Sequence, residues 1–86
     1  MLWDNLYTGD GMDKKYAEYY KKLGLNIAYY RNMVEMTQEQ LGDKLGIEQS
    51  HVSRIERAYV GISFDMLFEI ADALGIEPYK LLQFRD

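Results

Sequence analysis

An all-α fold is what this sequence predicts. Apolar residues recur at spacings of three and four in successive stretches, strand-like alternation is absent, and helix-start and helix-stop residues fall between the stretches. At 86 residues, 48% hydrophobic and 28% charged, the chain has the size and apolar content for one packed core. Residues 1–12 carry two glycines and no sustained period, so they read as an N-terminal arm in which Leu2, Trp3, Leu6 and Tyr7 are the groups able to pack. Residues 13–86 read as the domain.

The first helix opens at Asp13, a residue type that caps helix starts. Its stripe is Tyr16, Tyr20, Leu23, Ile27, Tyr30 and Val34, and Gly24 inside it either weakens one long helix or divides it in two. Thr37 opens a second, short helix, with Gln40 three residues on to complete a capping box. Leu41 and Leu45 turn inward one turn apart, and Gly46 supplies the left-handed stop. A third helix runs from Gln49 to Arg57. Ser63 caps a fourth, whose expected buried stripe is Phe64, Leu67, Phe68, Ala71 and Leu74, with Asp65, Glu69 and Asp72 in water. Gly75 ends it, and Pro78 suits the first position of a fifth, short helix containing Leu81 and Leu82.

Several function classes are set aside by what the chain lacks. There is no cysteine, hence no disulfide, thiolate metal site or cysteine nucleophile, which fits a reducing cytoplasm. One histidine, His51, no phosphate-cradling glycine loop and no paired-ligand motif leave neither an enzyme, a metal site nor a cofactor to expect. No apolar run approaches the length of a membrane span, and no secretory-type start is present.

The constellation that carries a function is residues 37–57, two short helices joined at Gly46, Ile47 and Glu48, a turn that sets one helix across another. At about 100° per residue, Gln49, Ser50, Ser53, Arg54 and Arg57 share one arc of roughly 140°, while Val52 and Ile55 lie opposite. Glutamine can bond an adenine edge twice, arginine can do so to guanine, and serine contacts bases or phosphate. His51, on the flank of the arc, suits either a rim contact to phosphate or a plain surface position. Against this stands the net charge of −4, since phosphate neutralisation dominates DNA affinity. By segment, residues 1–12 carry −2, 13–36 carry +2, 37–60 carry −1 and 61–86 carry −3. The acid gathers at the two ends, and helix N-termini can hold phosphate without formal charge.

From Leu23 to Leu82 the chain resembles the Cro and lambda-repressor-like helix-turn-helix regulators, of the xenobiotic-response-element type. The matching pieces are Ile27 and Tyr30-Arg31, then MTQEQLGDKLGI, QSHVSRIER and SFDMLFEIADALGIEPYKLL, in order and at matching spacing. The resemblance implies a five-helix lambda-repressor-like domain that binds double-stranded DNA. It implies base contacts from Gln49, Ser50 and Arg54, with Ser53 and Arg57 nearer the DNA backbone. It also implies that Gln38 bonds a phosphate and braces Gln49, and that Arg31 pairs with Glu56 as a structural ion pair.

Departures from that pattern bear on affinity. Gly42 stands where alanine is usual, Glu48 replaces a serine or threonine cap, Ala58 replaces a glycine, and Tyr59, Val60 and Ile62 fill a loop that often carries basic residues. One copy should bind weakly, so a homodimer on paired half-sites is expected. Its candidate surfaces are Tyr79, Leu82 and Phe84, or Tyr16, Tyr19 and Tyr20 with the arm around Trp3. The expected function is transcriptional repression by promoter occupancy; an antitoxin or other protein-binding module is the alternative the same fold allows.

Overall fold

The computed structural model describes residues 14–84. A 3-10 turn at Lys14–Tyr16 leads into α1 (Ala17–Met33), followed by α2 (Gln38–Leu45), α3 (Gln49–Glu56) and α4 (Phe64–Leu74), and a second 3-10 helix, Pro78–Leu82, closes the described chain. No strand occurs among the described residues. The all-α expectation stands, but the expected count of five helices becomes four α-helices and a 3-10 helix. Five residues opening on a proline are too few to recover the cost of nucleating an α-helix, and the segment closes i→i+3 bonds instead, Lys80 N–H to Glu77 O at 3.0 Å and Gln83 N–H to Lys80 O at 3.4 Å. Asp13 and the arm at residues 1–12 lie outside the described residues. No helix among the described residues is long and apolar enough to cross a membrane.

α1 runs unbroken through Gly24, and the reason is tertiary. A Cβ built on Gly24 would overlap the carbonyl oxygen of Glu56 and stand 2.8 Å from its carbonyl carbon and 2.9 Å from the oxygen of Ile55. α1 therefore lies directly on the last turn of α3, a crossing that no residue with a side chain permits. The roughly 1 kcal/mol that a mid-helix glycine costs is the condition of that approach.

The core gathers Ile27 from α1, Leu41 from α2, Val52 from α3, Ile70 from α4 and Leu81 from the closing turn, all essentially removed from water; Leu23, Ile55, Leu67, Ala71 and Leu74 complete it. On α4, Leu67, Ala71 and Leu74 face inward as expected, whereas Phe64 and Phe68 stack on each other at the surface, 6.2 Å between centroids, and Ile70 takes the inward place. Tyr16, Val34 and Leu82 are likewise exposed. Asn26, buried on α1, donates through Nδ2 to the carbonyls of Leu81 (2.9 Å) and Gln83 (3.2 Å), which ties the closing turn to α1. These bonds satisfy two carbonyls that a 3-10 helix end leaves without partners.

Candidate nucleic-acid interface

α2 begins at the capping box written in the sequence: Thr37 Oγ1 accepts from the Gln40 N–H at 3.0 Å and the Thr37 N–H donates to Gln40 Oε1 at 2.8 Å. It ends at Gly46, which is left-handed at φ 72. The turn then folds back on α2. The Ile47 N–H donates to the Gly42 carbonyl at 2.9 Å, and a Cβ on Gly42 would come 2.6 Å from the Ile47 oxygen. The turn is thus wound more tightly than an alanine at that position would allow.

Glu48 caps α3 with extended backbone only; its side chain makes no cap bond, and its carbonyl accepts from the N–H groups of His51 (3.0 Å) and Val52 (3.2 Å). Of α3, Val52, Ile55 and Glu56 are buried. Gln49, Ser50 and Arg54 are exposed, as is Arg57 at the C-cap, while His51 and Ser53 are half-buried on the flanks. One side of the helix is thus fixed by the core and the other presents amide, hydroxyl and guanidinium groups to water.

Behind the exposed face lies a charged network. Arg31 forks onto the Glu56 carboxylate, Nε to Oε2 at 2.7 Å and Nη2 to Oε1 at 3.0 Å, with the two side chains only 11% and 5% exposed. Its Nη1 donates to the Met36 carbonyl at 2.8 Å, so one guanidinium joins α1, the loop before α2 and α3. The Gln38 amide donates to Glu56 Oε1 at 2.9 Å. That bond commits one N–H of the Gln38 amide to a carboxylate, a strong acceptor.

The end of α3 holds a feature the sequence reading missed. Ala58 is left-handed at φ 61, and the Tyr59 N–H bonds back to the Arg54 carbonyl at 2.8 Å, closing the helix in the manner that usually uses glycine. That turn brings Tyr59 under Arg57: the guanidinium carbon lies 4.5 Å from the ring centroid and Nη2 donates to the hydroxyl at 2.8 Å. Tyr59 therefore holds a cation at the edge of the exposed face. Only the spacing of two residues across a left-handed position could have signalled it. Lys44, at the end of α2, lines a polar groove with Glu69 and Asp72. Among the described residues no group of three or more histidines and carboxylates stands close enough to hold a metal ion.

The helix-turn-helix family pattern matches residues 27–81, which contain α2, α3 and α4 entire. The chain is 37% identical over 49 residues to the control protein C.BamHI of Bacillus amyloliquefaciens, covering 57% of this chain and 60% of that one. It is 32% identical over 60 residues to the control protein C.SmaI of Serratia marcescens, covering 70% and 71%. It is 30% identical over 60 residues to an uncharacterised helix-turn-helix-type transcriptional regulator of Methanocaldococcus jannaschii, covering 70% and 91%. Among solved structures, the restriction-modification controller protein C.AhdI of Aeromonas hydrophila superposes with a TM-score of 0.73 at 29% identity, over 77% of this chain and 96% of that one.

Proposed function

The chain belongs to the helix-turn-helix family, and from that premise we propose that it regulates transcription by laying α3 in the major groove of double-stranded DNA at a specific sequence. The observation that carries this reading is the division of α3 into a core-anchored side and an exposed side of base-reading residue types. At eight residues the helix is roughly 12 Å long, about the width of the groove it would enter.

Gln49 and Arg54 are the base readers, suited to adenine and guanine, and Ser50 stands beside them. Ser53, His51 and Arg57 serve the flanking phosphates, and Gln38 offers them its remaining N–H, since one amide proton is already on Glu56. With two reading-face arginines and a net charge of −4, one copy holds DNA weakly, so two copies act on paired half-sites. Exposed Phe68 and Tyr79, off the reading helix, supply apolar area for their contact. The likeness to control proteins and to a transcriptional regulator supports a regulatory role, which the chain would exert in the cytoplasm as a repressor that occupies a promoter.

Selection of a random duplex library on the purified chain at low salt, followed by titration of the enriched sequence at rising salt, tests the reading. A two-fold related motif whose binding weakens with salt is the expected result. A folded sample that enriches nothing overturns it in favour of a protein partner.

A further inference from the structure

Between Arg57 and Ser63 the chain runs Ala58, Tyr59, Val60, Gly61 and Ile62, a loop without a cation. Tyr59 is the single side chain in it able to form a hydrogen bond. The ring is not stowed against the core, for Tyr59 is 54% exposed. Its place is nevertheless fixed to α3: its N–H is bonded to the Arg54 carbonyl at 2.8 Å, and the Arg57 guanidinium covers its face. Arg57 can only donate, so in the bond between the two side chains the phenol oxygen is the acceptor and keeps its own hydrogen. Among the described residues that hydrogen meets no acceptor. Nη2 of Arg57 likewise carries a second hydrogen. Two donor atoms thus stand 2.8 Å apart at the edge of the reading face, a spacing that suits the two free oxygens of a single phosphodiester group.

We propose that Arg57 and Tyr59 form one phosphate-binding site, in which the Tyr59 hydroxyl donates to the DNA backbone beside the Arg57 guanidinium. This site rests on the reading in which α3 enters the major groove. A neutral hydroxyl supplies a phosphate contact without a cation, which is what a chain of net charge −4 with a cation-free loop requires. The left-handed backbone of Ala58, φ 61, is what turns Tyr59 back under Arg57 and so brings the two donors together.

The selected operator duplex is titrated with the unaltered chain, Tyr59→Phe and Arg57→Ala, each checked for unchanged helical circular dichroism. The titrations are repeated on duplexes that carry one neutral methylphosphonate at each backbone position in turn. Tyr59→Phe keeps the ring beneath Arg57 and removes only the hydroxyl. It should weaken binding severalfold for each copy bound and leave the slope of log K against log salt unchanged, because a neutral donor displaces no counterion. At one backbone position of each half-site, the methylphosphonate should weaken the unaltered chain but cost both variants less. Equal binding by Tyr59→Phe and the unaltered chain overturns the proposal while the DNA-binding reading stands. So does a loss tied to no backbone position, or to a position other than that of Arg57. A slope flattened in Tyr59→Phe overturns it too, since the hydroxyl would then act only by holding Arg57. A folded, unaltered chain that enriches no duplex overturns the DNA-binding reading and this site with it.

Discussion

Arg54 and Arg57 sit one turn apart on the same face, yet their surroundings assign them different work. Arg54 is exposed to water, whereas Arg57 is held over Tyr59. Arg54→Ala should relax selection at one base position and cost roughly 1–3 kcal/mol of binding, read by titrating operator variants; unchanged affinity and selectivity would remove Arg54 from the reading surface. Ala58, between Arg57 and Tyr59, adopts a left-handed backbone in which its Cβ crowds the next carbonyl. Ala58→Gly should therefore raise stability by about 1 kcal/mol, seen as a higher denaturant midpoint at unchanged slope. The face of α3 was legible from spacing alone, because a helical projection needs no knowledge of the neighbours. The role of Tyr59 was not, since it depends on the chain reversing at a residue that normally avoids that conformation.

Between elements, the same contrast appears in what caps and what crosses. The boundaries set by Thr37 with Gln40, by Gly46, by Ser63 and by Gly75 are local, each a bond or backbone state within a few residues, and all four read directly from the sequence. The packing of α4 did not, because its apolar residues extend over a wider arc than the core can cover, so periodicity could not choose Ile70 over Phe64. Gly24 looked like a weakness and is a contact point, which only the position of α3 reveals. Gly24→Ala should force α1 off the end of α3 and cost roughly 1–3 kcal/mol in chemical denaturation, where a neutral or stabilising result would refute the close crossing. The Arg31–Glu56 fork, implied by resemblance and not by spacing, joins three elements almost out of water. Glu56→Ala leaves the Arg31 charge buried and unpaired and should cost about 3–5 kcal/mol. Replacing both residues together with methionine should restore much of that loss, which a double-mutant comparison of unfolding curves would measure.

For the whole molecule the question is how a chain of net charge −4 holds a polyanion. Part of the acid lies on α4, where Glu69 and Asp72 share their groove with Lys44, so the cations left to the reading face are few. Binding then rests on a small number of phosphate contacts for each copy, and its salt dependence counts them, because each contact contributes about −0.9 to the slope of log K against log salt. On the proposed reading Arg57, positioned at the edge of the face by Tyr59, meets a phosphate and not a base. Arg57→Ala should weaken binding evenly across sequences and flatten the slope by about 1 for every copy on the DNA. On the selected operator a loss of about 2 would report two copies acting together, and a loss of about 1 would report a single copy and remove the dimer. An unchanged slope with altered sequence preference would move Arg57 from phosphate to base. The same titration thus measures stoichiometry and residue role at once, and it does so on the intact chain.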